Sequence, residues 1–155
     1  MNRWLALAVL IAALDQLSKF AMTGILTAGA NIEVAPFFNL VLVHNRGAAF
    51  SLLSSASGWQ RELFIAIALI ASAWVVYLLR RYPRQMLFCF ALSLILGGAI
   101  GNVIDRVLFG AVIDFLDFHL GGYHWPAFNV ADSAITCGAA LLVWDGLRSG
   151  KSARN

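Results

Sequence analysis

Long apolar runs along the chain alternate with short polar stretches. Leu63–Leu79 and Met86–Ile104 contain no charged residue, and each comes close to the roughly 20 mostly apolar residues a membrane-spanning helix needs. Two further runs are interrupted: Trp4–Leu26 by Asp15 and Lys19, and Phe128–Trp144 by Asp132. The pattern predicts four spans, at about residues 4–26, 61–79, 86–108 and 128–147. The interrupted pair is the more informative, because an ionised side chain within a span is costly and needs a partner or a task.

The stretches between the spans read differently. Arg80–Gln85 (R-R-Y-P-R-Q) is a tight turn broken by Pro83. Phe37–His44 (F-F-N-L-V-L-V-H) is rich in β-branched and aromatic residues and too short to span, so it is expected as a strand, ended by a turn at Asn45-Arg46-Gly47. Ala111–Leu120 is expected as a second strand, with Gly121-Gly122 as a hairpin turn into Tyr123-His124-Trp125. The fold class is therefore membrane α-helical: four transmembrane helices in one integral membrane domain, residues 1–155. A small β-rich platform at about 31–52 and 110–126 lies on one face. Trp59, Tyr123 and Trp125 suit a membrane–water boundary.

Composition supports this class. The chain is 61% hydrophobic and 12% charged, where ordinary soluble domains have roughly 45–50% and about 25%. A net charge of +3, with no basic cluster interleaved with aromatics, argues against nucleic acid as a partner. Arg3, Arg80, Arg81, Arg84, Arg148, Lys151 and Arg154 fall on one side of a four-span arrangement, which by the positive-inside rule puts both termini in the cytoplasm. Arg3 followed by an apolar run resembles the start of a secretory signal. No small-residue cleavage site follows and the run resumes after Lys19, so a retained first span is expected. Cys89 and Cys137 both lie in apolar runs without metal-ligand spacing and are read as buried small hydrophobes.

Four of the eight acidic residues, Asp105, Asp114, Asp117 and Asp132, gather between the third and fourth spans. Asn102, Asp105 and Arg106 share a helix face, and anchoring is the expected role of the two charged residues. Gly97, Gly98 and Gly101 precede them and permit close helix contact. Asp114 and Asp117 are three apart in a strand and so point to opposite faces; alternation does not say which faces the helices. His119 shares a face with Asp117, but with His124 alone it makes a weak metal site, and no metal is expected. Asn129 fits an N-cap with Asp132 at N3, a pairing that accounts for both without chemistry and also suits an ionised base. Asp15 and Lys19, four apart, form either a self-neutralising pair or a support for a site.

Neither G-x-S-x-G nor H-E-x-x-H occurs, which leaves paired aspartates as the available hydrolytic device. Two neighbouring carboxyls share a proton, so one activates water while the other polarises a carbonyl. An ion-coupled transporter is the competing class, but such proteins commonly carry repeats around a midplane site. This chain has no repeat, and its acids collect toward one surface.

Five blocks carry a family resemblance: D-Q-L-S-K at Asp15–Lys19, N-R-G-A-A-F-S at Asn45–Ser51, G-N-V-I-D-R at Gly101–Arg106, V-I-D-F at Val112–Phe115 and P-A-F-N-V-A-D at Pro126–Asp132. In order and almost end to end, they resemble the lipoprotein signal peptidases (signal peptidase II), aspartyl proteases of the bacterial inner membrane. The resemblance implies a catalytic dyad of Asp114 and Asp132. Around it, Asp15, Lys19, Asn45, Arg46, Gly47, Asn102, Asp105, Arg106 and Asn129 would bind substrate or support the site. It also implies a periplasmic β-cradle, an active site near the periplasmic face, and cleavage before the lipidated cysteine of diacylglyceryl-modified prolipoproteins. No cofactor is expected. The expected partners are the lipidated substrates, membrane lipids and globomycin-type inhibitors, with the chain acting as a monomer.

Overall fold

The computed structural model of the chain describes residues 1–27, 29–47 and 59–152. Residues 48–52 of the expected platform, the Ala48–Ser51 part of the second block, the Lys151 side chain and Arg154 lie outside the described residues. Four helices dominate: α1 (Asn2–Ile25), α2 (Trp59–Arg81), α3 (Met86–Phe109) and α4 (Val130–Ser152). Each is long and apolar enough to cross a membrane, and each lies within a few residues of a predicted span. Their ends have local causes. α2 stops at Arg81, two residues before Pro83, which removes a donor and biases Tyr82 away from helical backbone.

α3 ends at Gly110, whose φ of 73° is left-handed and whose N–H donates to Arg106 O at 3.2 Å. The guanidinium of Arg61, in the first turn of α2, donates from Nε to Arg106 O at 2.8 Å and from Nη2 to Val107 O at 3.1 Å. A cation thus adds a second hydrogen bond to Arg106 O and serves Val107 O among the carbonyls of the last turn.

The strands are β1 (Asn31–Ala35), β2 (Phe38–Asn45), β3 (Val112–Leu120) and β4 (Tyr123–His124), in one antiparallel sheet of order β1-β2-β3-β4. β2 and β3 each begin one residue later than the pattern predicted. Gly121 (φ 58°) and Gly122 (φ 86°) form the predicted hairpin, since both central residues of such a turn need positive φ. The β2–β3 register shifts between Leu40 and Val43, bringing Val43 opposite Asp114 and Asn45 opposite Val112. This irregularity delivers the end of β2 to the end of the helix bundle.

α3 is the central post, with α1, α2 and α4 packed on it. A cluster of Trp4, Ala8, Val75, Leu79, Cys89, Leu92 and Leu96 fills one end of the bundle. Toward the other end the contacts rely on glycine. A Cβ on Gly97 would stand 2.6 Å from Ala8 O, and one on Gly101 would stand 2.5 Å from Asp15 Oδ2. Gly101→Ala is therefore expected to cost about 1–3 kcal/mol through overpacking. Gly24→Ala, where nothing lies within 4 Å, should be neutral or stabilising by up to about 1 kcal/mol. Thermal unfolding of both variants in detergent checks the contrast.

One expectation is corrected. Cys89 is buried and its Sγ donates to Tyr82 O, but Cys137 is exposed on α4. An apolar run in a membrane helix does not imply burial in protein: Cys137 sits on a face of α4 that lines a cavity.

Candidate active site

The polar residues predicted to matter converge at the end of the bundle away from the apolar cluster. The foundation is a buried charge cluster. Lys19 Nζ lies 2.7 Å from both Asp15 Oδ2 and Asp105 Oδ2, and the three residues are 2%, 0% and 0% exposed. Charges so far from water persist only when paired and hydrogen-bonded, and these are. Asp15 Oδ1 accepts the Ala131 N–H at 2.9 Å, at the positive end of α4. Asp105 Oδ2 accepts the Ile113 N–H at 3.0 Å, and its Oδ1 accepts Gln16 Nε2 at 2.8 Å. One cluster therefore ties together α1, α3, the entry to β3 and the start of α4.

Three asparagine side chains stand above it. Asn102 Oδ1 accepts from Lys19 Nζ at 3.2 Å, and its Nδ2 donates to Asp132 Oδ1 at 2.7 Å. Asn129 caps α4 as predicted, its Oδ1 accepting the Asp132 N–H at 2.8 Å. The Asn129 Nδ2 reaches Asp114 Oδ1 at 2.7 Å, Ile113 O at 3.2 Å and Asn102 Oδ1 at 3.3 Å. Asn45 Oδ1 accepts the Gly47 N–H at 3.0 Å, and its Nδ2 donates to Asp114 Oδ2 at 3.1 Å.

Asp114, 1% exposed, and Asp132 line one cavity of about 800 Å³. Asn45, Arg46, Asn102 and Arg106 share that lining, as do residues 125–128 and the outward face of α4 as far as Cys137. Arg106 crosses the site, donating from Nη2 to Gly47 O at 3.2 Å with its guanidinium over Phe64. Burial, with the neighbouring Asp132 charge, pushes the Asp114 carboxyl up to about 7 against the hydrogen bonds from Asn45 and Asn129 and the charge of Lys19. Near neutrality it retains its proton on a substantial fraction of molecules.

That shift bears on stability. Because the folded pKa lies above the ordinary 3.8, the fold holds a proton that the unfolded chain has released. The stabilisation is complete below about pH 4, is lost as pH rises toward 7, and is flat beyond. Asp114→Asn keeps the shape without the charge, but its own NH2 must face one of the two amide donors, Asn45 or Asn129, at a cost of about 1–3 kcal/mol. Loss of the charge gains up to about 4 kcal/mol at pH 8 and nothing at pH 4, so the variant is expected to be the more stable of the two at pH 8 and the less stable at pH 4. Thermal scans of both proteins across this range test the sign.

Asp117 lies elsewhere. It accepts from Asn39 Nδ2 at 3.0 Å and pairs with His124 Nδ1 at 2.9 Å, on the face of the sheet opposite Asp114. Burial raises its pKa, but the hydrogen bonds from His124 and Asn39 outweigh this and hold the carboxyl below its ordinary value. The His119 ring stacks on His124 at 4.8 Å. Among the described residues, no group of three or more His, Cys, Asp or Glu side chains is arranged to hold a metal ion. The site therefore gathers Asp15, Lys19, Asn45, Arg46, Gly47, Asn102, Asp105, Arg106, Asp114, Asn129 and Asp132, and excludes Asp117. Sequence reasoning gave no role to Gln16 or Arg61. Gln16 adjoins Asp15 and Lys19 on the polar side of α1, the one signal that could have found it.

Fold and site together define a multi-pass membrane protein with a carboxylate-bearing polar cavity at one end of its helix bundle. A family model described as signal peptidase (SPase) II matches residues 7–148. The lipoprotein signal peptidase of Paraburkholderia phymatum is 60% identical over 151 residues, 97% of this chain and 91% of the relative. That of Janthinobacterium sp. (strain Marseille) is 57% identical over 145 residues, 94% of this chain and 88% of the relative. Two solved bacterial membrane enzymes share the fold. One, at 2.3 Å resolution, has a TM-score of 0.88 and 33% identity over 98% of this chain and 92% of its own; the other, at 1.9 Å, has 0.82 and 34% over 95% and 94%. The chain belongs to the signal peptidase II family, as its sequence blocks led us to expect, and is a membrane peptidase.

Proposed function

We propose that this chain removes signal peptides from diacylglyceryl-modified prolipoproteins, using Asp114 and Asp132 as an aspartyl dyad. The observation that carries the reading is that two carboxyls from separate elements, β3 and α4, line one cavity, each aimed by amide donors. The relatives' printed name, lipoprotein signal peptidase, supplies the substrate class. In the proposed cycle ionised Asp132 takes a proton from water as the oxygen attacks the scissile carbonyl carbon. Protonated Asp114 meanwhile donates to the carbonyl oxygen. The tetrahedral intermediate collapses as Asp132 passes its proton to the departing nitrogen and a hydroxyl of the intermediate returns one to Asp114. The C–N bond breaks, giving the signal peptide a carboxyl terminus and the lipidated cysteine a free amine.

The cut falls before the lipidated cysteine. The cavity lies toward the periplasmic face of the bacterial inner membrane, both termini lie in the cytoplasm, and the enzyme acts as a monomer, open to globomycin-type inhibitors. Arg80, Arg81 and Arg84 at the α2–α3 turn support this orientation. Purified protein in detergent, without an ion gradient, is expected to cleave a diacylglyceryl-modified precursor. Mass spectrometry should find the lipidated cysteine at the new N-terminus, and a globomycin-type inhibitor should block the reaction. Cleavage at another bond, or none with active-site residues intact, would sink the reading.

A further inference from the structure

The three site asparagines share a pattern that bears on how the dyad is controlled. A carboxamide has a donor end and an acceptor end, and swapping them reverses every hydrogen bond it makes. Which end faces which way is decided where one neighbour can only donate. For Asn129 the obligate donor is the backbone N–H of Asp132, and for Asn45 it is the backbone N–H of Gly47. For Asn102 it is the ammonium of Lys19, reinforced by Asn129 Nδ2. In all three the acceptor end is thereby occupied, and the donor end is aimed at a dyad carboxyl. Two of these locks are main chain and beyond substitution. Lys19 is a side chain.

We propose that Lys19 is a positioning residue for the dyad. It holds the Asn102 amide in the one orientation that presents N–H to Asp132 Oδ1, so that this oxygen serves as an acceptor and the reacting proton is confined to the other oxygen of Asp132 and to Asp114. The inference rests on the dyad reading above. Lys19 is buried, lies one side chain away from Asp132 and lines none of the cavity, so its contact with the dyad runs through Asn102, while its charge also reaches Asp114 through space. Its pairing with two carboxylates accounts for its charge; the third contact, to an uncharged amide oxygen, does not neutralise anything and has a directional consequence instead. The charged groups around Asn102 are Asp15 and Lys19 from α1, Asp105 and Arg106 on α3, Asp114 from β3 and Asp132 from α4.

The test separates the lock from the charge. Lys19→Met/Asp105→Asn removes one positive and one negative charge, so the cluster keeps the net charge it has in the parent, and Asp105→Asn alone shows what loss of that carboxylate does by itself. With a lipidated precursor in detergent, the double variant is expected to lose kcat by about 10²-fold relative to the parent, well beyond any loss in Asp105→Asn, with KM little changed and the acid limb of the pH–kcat profile displaced. Lys19→Arg in the Asp105→Asn background, which restores an obligate donor, should recover most of the loss. A double variant with the kcat and pH profile of the parent, or no slower than Asp105→Asn, would overturn the proposal.

Should the double variant not accumulate folded, the side-chain amide protons of Asn102 decide, observed in the parent protein with 15N-asparagine. Amide protons protected from solvent exchange that shift with the titration of the dyad support the lock; protons that exchange rapidly with water and ignore that titration refute it. Asp132→Asn runs alongside. Cleavage by that variant counts against the dyad itself, whereas an inactive Asp132→Asn beside an unperturbed double variant counts against the Lys19 lock alone.

Discussion

Asp114→Asn and Asp132→Asn, each purified and given a lipidated precursor, are expected to lose cleavage by about 10³–10⁴-fold, or about 4–5.5 kcal/mol of transition-state stabilisation. An amide nearly matches a carboxyl in shape, so the loss isolates proton transfer from packing. Asn at 132 cannot take the proton from water. Asn at 114 can offer a hydrogen bond to the carbonyl but has no carboxyl proton to deliver. The two losses should not add in the double variant, since a dyad with one member missing has already lost its function. The higher stability expected of Asp114→Asn at pH 8 would show that inactivity is not misfolding. Turnover within tenfold of the parent in either single variant would refute the assignment.

Lys19→Met alone is expected to cost about 3–5 kcal/mol, because it leaves Asp15 and Asp105 facing each other without a counter-charge in a site that water does not reach. For a chain of this length that corresponds to a fall of about 6–20 °C in Tm in detergent. Adding Asp105→Asn should return part of the loss by deleting one of the stranded charges. An unchanged Tm for Lys19→Met would mean that the cluster is hydrated or neutral in the folded protein.

The helices were legible because the bilayer demands long apolar runs, and the cap at Asn129 because helix ends demand an acceptor at a fixed spacing. Burial was harder to read. An apolar run does not say which of its faces packs against protein and which lines a cavity, and Cys137 falls on a cavity face. The pairing of Asp15 with Lys19 followed from spacing four along a helix. The second partner of Lys19, Asp105, lies on a different helix, and no local pattern connects the two. Alternation told correctly that Asp114 and Asp117 part company. Which of them meets the helices depends on the register of β3 against a partner strand about 70 residues earlier, shifted by an irregularity between Leu40 and Val43. The family blocks supplied that choice in advance of any geometry. Arg61 as a cap on α3 was invisible, since its acceptors are backbone carbonyls, which no sequence distinguishes.

The dual engagement of Lys19 also has a consequence for biosynthesis. During translation α1 leaves the ribosome long before Asp105 has been made. A lone ammonium in that segment would resist transfer into lipid, but Asp15, one turn away, neutralises it from the outset. The part of the first helix beyond Arg3 can therefore enter the bilayer electrically balanced. Asp105 meets this balanced pair only when the third helix arrives, and its contact forms at a single depth and rotation of one helix against the other. The last charge of the three to be synthesised thus sets the alignment of α1 against α3.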